Sequence, residues 1–383
     1  MLNQSSINNL QSTLSDLVAI DSVNPDLVPG GAGEAQIAAY IFDWLVNAGL
    51  EVHIHEFAPG RPSVVGIARG TGGGKTLLLN GHMDTVGTSG MADALQPGVR
   101  DGKLYGRGAY DMKGGLAACM LAIAEAKKLP LRGDVILTAV ADEEFAGKGT
   151  MEVVKHYHAD GAIVAEFTHL QAIVAHKGFY WLEIETHGVA AHGSRYDLGV
   201  DAIVKMGGVL RGLESLQQDL KSRAPRPRLG HSSLHASLIQ GGHELSTYPE
   251  RCLLSLERRT LPGETPAALE AEIQALLDRQ AQADPTFRAE LRPGLYRPPL
   301  ETPEDAAIVQ AVQSAGTGVL GRPLELAGVA YWTDAATLWE AGIPSLLLGP
   351  GGAGAHAVEE WVDLESVAQC AEIYLETAKE FCA

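Results

Sequence analysis

The chain has 383 residues, more than one ordinary hydrophobic core accommodates, so two domains are the first expectation. Hydrophobic residues make up 46% and charged residues 20%, the balance of a packed globular protein, and a formal net charge of −18 argues against nucleic acid or an anionic membrane surface as partner. Four cysteines (Cys119, Cys252, Cys370, Cys382) lack metal-finger spacing and fit a reducing compartment.

The first twenty residues carry no basic leader followed by an apolar run. Ile7, Leu10, Leu14, Leu17 and Val18 recur instead at helical spacing, which predicts an amphipathic helix. No stretch is long and apolar enough to span a bilayer, so a cytoplasmic protein is expected. A second helix is predicted over Glu34–Ala48, ending at Gly49. Strands are predicted at VHIHEF, SVVGIARG, TLLLN, DVILTAV and GAIVAE, several of them apolar on both faces, as strands covered by helices on each side are. The segment Lys113–Lys128, rich in Ala, Leu and Met, reads as a helix. Alternating strand and helix predict an α/β domain with a largely parallel sheet.

The pattern changes at Lys177. A strand FYWLEIETHG, a helix over 199–220, strands SLHASLIQGG and RCLLSLERRTLPG, a helix over Pro266–Ala281 and a strand TFRAEL follow in turn. That β-α-β-β-α-β order is the ferredoxin-like pattern. Beyond about Pro293 the α/β text resumes, with IPSLLLG and a closing helix. The expected architecture is a catalytic domain of residues 1–176 and 294–383, interrupted by an inserted α+β domain of residues 177–293.

Ligand-type side chains collect at strand ends. His82 and Asp84 follow TLLLN, Glu143 and Glu144 follow VILTAV, Glu166 ends GAIVAE, and His356 lies shortly after IPSLLLG, while Asp111 sits in the glycine-rich loop GRGAYDMKGG. Ligands of open α/β sheets bind outside the carboxyl ends of the strands. Singly, a histidine at a strand end or a DEE triplet is an ordinary surface feature. Several independent segments converging on one edge make a site.

Two histidines and several carboxylates without a thiolate suit Zn²⁺ or a similar dication, and more than three carboxylates suggest two metals sharing one. Paired metals about 3.5–4 Å apart polarise a carbonyl and supply hydroxide at neutral pH. One of the adjacent glutamates then ligates a metal and the other stays free as a general base. No HExxH or GxSxG motif is present. GPGGAG at 349–354 matches a dinucleotide fingerprint, but it comes late in the chain, contains Pro350 and runs at once into His356, so that reading is set aside.

Taken in order, GHMDTV, GRGAYDMKGG, ADEEFAGKGT, VAEFT, GVAAHGSR, GG…YPERC…ERRTLPGE and GPG…AHAVEEWV resemble the zinc exopeptidase/deacylase family of acetylornithine deacetylase, succinyl-diaminopimelate desuccinylase, aminoacylase and carboxypeptidase G. The resemblance implies a catalytic domain with a lid domain that mediates homodimerisation. It implies that His82, Asp111 and Glu166 hold one metal and Asp111, Glu144 and His356 the other, with Zn expected and Co or Mn as alternatives. Glu143 becomes the general base, Asp84 orients the His82 imidazole, and the Asp111–Met112 peptide is cis. His192 hydrogen-bonds the oxyanion in a partner's site, Arg259 binds the substrate carboxylate with Gly349 and Gly351 amides assisting, and Ser246 helps hold substrate. The pattern is broken at Ser246, where Asn is frequent, at Phe167, where Pro is usual, and after His192, where a proline is missing.

The expected activity is hydrolysis of an N-acyl amino acid, with a carboxypeptidase or dipeptidase of the same family as the nearest alternative. A non-catalytic amino-acid-binding protein on the same scaffold is the rival from another class. Loss of Glu143 or a ligand would mark it, and neither is lost.

Overall fold

The structure is a computed structural model that describes residues 4–383, so the first three residues of the amino-terminal stretch lie outside the described residues. The chain divides into two compact units. One holds the residues up to Val174 with Thr302–Ala327 and Thr333–Ala383, and the other holds Ala175–Glu301 and Gly328–Trp332.

In the first unit the sheet runs Glu51–Glu56, Pro62–Ala68, Val135–Val140, Leu77–His82, Gly161–Val164, Ser345–Leu347, Ala172–His176. The four strands from Val135–Val140 to Ser345–Leu347 are parallel, and the flanking pairs are antiparallel. Every residue of these four strands is buried, which explains their apolar character on both faces. One face packs Leu77, Leu79, Leu137 and Ile163 with Leu116, Met120 and Tyr374 of helices Gly114–Ala126 and Leu364–Phe381. The other face packs Val65, Ile67, Ile136 and Val140 against Val153. Four neighbouring parallel strands end on the same edge, so the residues that follow them converge without any long-range instruction. A separate small sheet pairs Lys103–Tyr105 with Trp361–Asp363 and brings the Asp111 loop beside the chain that follows His356.

The second unit has the strand order Ser233–Gly241, Arg251–Thr260, Gly178–His187, Arg288–Arg297, all antiparallel, as a ferredoxin-like domain requires. Asp201 and Thr265 cap the helices Ala202–Ser222 and Pro266–Ala283 through Val204 N–H and Ala268 N–H. In Arg251–Thr260 the buried positions alternate: Cys252, Leu254 and Leu256 face Met206, Val209 and Ile273 of the two helices. The last strand continues past Pro293 to Arg297 rather than stopping at Leu291. Pro293 sits at a register shift on an edge strand, where its missing N–H removes no necessary ladder bond. The unit therefore ends later than the sequence reading places it, and residues 328–332 belong to it as well. All four cysteines are buried and free, and no helix among the described residues is long and apolar enough to cross a membrane.

Candidate metal centre

His82 is the last residue of its strand, and its imidazole is almost fully buried. Its Nε2 lies 3.1 Å from Asp111 Oδ1 and 3.7 Å from Glu166 Oε1. His356 Nε2 lies 3.2 Å from Asp111 Oδ2 and 3.1 Å from Glu144 Oε2. The ligand atoms of His82, Asp111 and Glu166 lie within 4.8 Å of one another, and so do those of Asp111, Glu144 and His356. Asp111 turns one carboxylate oxygen to each histidine, so a single side chain belongs to both groups. The peptide following it, Asp111–Met112, is cis, as the resemblance implies.

The charge balance of this cluster favours a cation. Burial pushes Glu144 up to about 7 and Glu166 up to about 8, with neighbouring carboxylates adding to the shift. Burial, reinforced by Glu166, also holds Glu143 well above the usual carboxylate range. Hydrogen bonds to Asp111 and Glu144 raise His356 to about 10. Against the effect of burial, hydrogen bonds from the two histidines hold Asp111 below the ordinary carboxylate range. Protons thus supply positive charge that a dication provides more effectively. Glu144 Oε1 is buried without a hydrogen-bond partner, an orphaned acceptor on a side chain already within one of the two groups. Buried acceptors of this kind carry a cost of about 1–3 kcal/mol unless something completes them. The donors present fit a pair of dications.

Asp84 does meet the His82 imidazole, but through its main chain. The His82 Nδ1 partner is the main-chain oxygen of Asp84 at 2.8 Å, while the nearer carboxylate oxygen lies 3.7 Å away. The Asp84 carboxylate instead accepts the Glu143 and Glu144 amides, each at 3.2 Å, and the Asn24 side-chain N–H at 2.8 Å. It shapes the turn that presents the glutamate pair. A buried network extends from there. Arg61 donates to both oxygens of Glu34 at 2.6 and 2.7 Å and to Asp142 at 3.2 Å, and Asp142 sits at φ +67 immediately before Glu143.

The proposed substrate contacts divide. Gly349 N–H donates to Thr168 Oγ1 and Gly351 N–H to Ser366 Oγ, both at 2.9 Å. Those amides are used within the chain, and the expectation that they serve a substrate carboxylate is corrected on that ground. Arg259 donates its Nε to Glu257 at 2.7 Å and lies over the Phe179 ring, and Glu257 also accepts the Trp181 indole N–H. His192 is exposed, with Nδ1 2.8 Å from Ser194 Oγ. Ser246, exposed as well, accepts the Gly193 N–H at its main-chain oxygen at 2.7 Å, so its segment runs beside that of His192. Phe167 packs its ring 4.6 Å from that of Tyr110.

Sequence reasoning missed Asn24, Glu34, Arg61, Arg107 and Glu360. None stands at a strand end or in a ligand-type cluster. Arg107 in GRGAYDMKGG and the second glutamate of AHAVEEWV, Glu360, lie within quoted motifs, but beside the ligands rather than among them.

A two-unit α/β protein whose parallel strands end on two carboxylate–histidine groups sharing one aspartate has the construction of a dinuclear metallohydrolase. The chain belongs to peptidase family M20/M25/M40, whose model matches residues 78–380. It is 30% identical over 390 residues to the acetylornithine deacetylase of Myxococcus xanthus, covering 97% of each chain. It is also 30% identical to the N-formyl-4-amino-5-aminomethyl-2-methylpyrimidine deformylase of Bacillus subtilis, covering 91% of this chain and 89% of the relative. A dinuclear metal-binding peptidase of the M20 family from Bacillus subtilis shares the fold, with a TM-score of 0.76 at 15% identity over 99% of both chains.

Proposed function

We propose that this metallohydrolase cleaves the amide bond of an N-acyl amino acid, acting as an acetylornithine-deacetylase-like deacylase. The observation that carries the two-metal hydrolytic chemistry is the sharing of Asp111 between two ligand groups beside an unshared glutamate. His82, Asp111 and Glu166 would hold one dication and Asp111, Glu144 and His356 the other, with Zn²⁺ favoured and Co²⁺ or Mn²⁺ as alternatives. When bound, such ions polarise the scissile carbonyl and lower the pKa of water towards neutrality.

Glu143 is the general base. It stands outside both groups, and its backbone is held by Asp84. Its carboxylate takes the proton of the attacking water and delivers it to the departing amine nitrogen, so one side chain serves both halves of the hydrolysis. His192 donates to the oxyanion of the site in the other subunit of a homodimer. Arg259, kept in a fixed orientation by Glu257 and Phe179, takes the substrate carboxylate, and Ser246, whose main-chain oxygen accepts the N–H of Gly193 next to His192, helps hold the substrate. The dimer reading is supported by the second unit's edge strand, where Leu238 is 72% and Ile239 56% exposed, with Val204 of the adjoining helix 69% exposed.

The deacylase reading rests on the 30% identity to an acetylornithine deacetylase along 97% of the chain. The equal identity to a deformylase favours a small acyl group over a long peptide. A panel of N-acetyl, N-formyl and N-succinyl amino acids with dipeptides tests it. Highest kcat/KM on an N-acetyl amino acid is expected, and preference for a dipeptide would replace the reading with a peptidase. Chelation is expected to abolish activity and added Zn²⁺ or Co²⁺ to restore it.

A further inference from the structure

The two groups are built on unequal foundations. His82 is a strand residue in register with Val140, and its ring is anchored at Nδ1. Glu166 stands two residues past the end of a buried strand. His356 has neither support: it lies in a turn at φ +61, a conformation uncommon for a non-glycine residue, and its side chain is 56% exposed. Yet its Nε2 meets Asp111 and Glu144 at hydrogen-bond distance.

What holds the turn is a reciprocal brace. Arg107, from the Asp111 loop, donates Nη2 to the Ala357 carbonyl at 2.8 Å, one residue from His356. Glu360, from the His356 side, accepts the amides of Tyr110 at 2.9 Å, Asp111 at 3.1 Å and Gly108 at 3.1 Å. The two side chains meet each other at 2.6 Å, and the carboxylate of Glu360 is fully buried. The Glu360 carbonyl also accepts the Gly106 N–H, just past the small-sheet strand Lys103–Tyr105. Four donors on one carboxylate use its acceptor positions completely. Each loop therefore reaches across to the other's backbone, and the ion pair locks the crossing.

We propose that Arg107 and Glu360 are positioning residues that hold the His356 turn against the Asp111 loop, and so set the metal affinity of the Asp111–Glu144–His356 group selectively. The proposal rests on the two-metal reading above. Outer partners of ligating side chains typically change metal affinity by about 10–100-fold when removed. Here the loss falls mainly on one ion: Asp111 is common to both groups, but His82 and Glu166 are carried by strands, whereas His356 depends on the braced turn.

The test is stepwise titration of metal-free protein with Co²⁺ alone, followed by calorimetry and by the visible spectrum. Wild type is expected to bind two ions. Glu360→Gln replaces an acceptor with an amide N–H that faces the Arg107 or Gly108 donor. It should weaken the second binding event by about 10–100-fold and leave the first within about threefold. Arg107→Lys keeps the charge but loses the fork that spans Glu360 and Ala357, and it should weaken the same event by a smaller factor. Should Glu360→Gln fail to fold, Arg107→Lys decides alone. Equal weakening of both events, or two unaltered events in the variants, overturns the proposal. A wild type that binds no Co²⁺ overturns the metal reading beneath it.

Discussion

The two units use the same charged residue types in opposite physical settings. In the first, Glu34 has no exposed side-chain surface and its partner Arg61 is 10% exposed, so both depend on each other and on Asp142 for the polar contacts water would otherwise make. In the second, Glu185 is also covered, but by Arg251 and Arg292, whose side chains are 54% and 39% exposed. A surface guanidinium that loses its partner regains water, whereas a buried one does not. The contrast teaches that the number of ion pairs says little, while the solvent access of the weaker partner says much. It also separates function: charge is concentrated where the first sheet ends, and apolar surface where the second sheet has its edge.

The largest effect that sharpens this contrast is chemical. Glu143→Ala should lower kcat by about 10²–10⁴-fold, the usual range for removing a general base or acid. Bound metal, measured by elemental analysis, should stay near the wild-type level. Activity within tenfold of wild type would assign proton transfer elsewhere.

Next comes stability. Glu34→Ala leaves Arg61 and its neighbours without their bidentate partner and should cost about 3–5 kcal/mol, read from urea unfolding. Glu185→Ala, the matched change in the second unit, should cost a small fraction of that. Equal losses would erase the distinction between the two settings.

A third change addresses the apolar edge. Leu238→Asp puts a charge on the exposed strand and, on the proposed homodimer, should shift the protein from dimer to monomer in light scattering, with activity falling because the proposed contact of His192 with a second site is lost. A monomeric wild type would end the dimer reading.

The smallest effect marks where the buried regime of the first unit gives way to surface. Burial, then the neighbouring His156 and His53, depresses the pKa of His55 below 6.5. Because the folded value is the lower one, neutral His55 contributes stability above pH 6.5 that is lost as pH falls through its depressed pKa. An NMR titration should place its midpoint below 6.5, and His55→Gln should flatten that part of the stability profile slightly. A midpoint at or above 6.5 would show that the ring is solvated like any surface histidine.

Much of this was readable in the chain. Period-two alternation at Cys252, Leu254 and Leu256 follows from a sheet with one covered face, and strand-end placement of His82, Glu144 and Glu166 follows from parallel topology. The brace and the Arg61 network were not readable, because Glu360 meets Arg107 across 253 positions and Arg61 meets Asp142 across 81. Nothing periodic marks such residues. Asp84 shows the finer limit: its spacing from His82 signals an interaction, but whether carbonyl or carboxylate makes it depends on the backbone turn.

The sequence by itself determined the element order, the covered faces and the residue types available to a metal, since these depend on local periodicity and chemistry. Only the tertiary structure decided which carboxylate oxygen faces which histidine, that the Gly349 and Gly351 amides are already engaged, and what supports the His356 turn. Hydrogen-bond partnership is settled within a few tenths of an ångström, and that precision exists only after distant segments have packed.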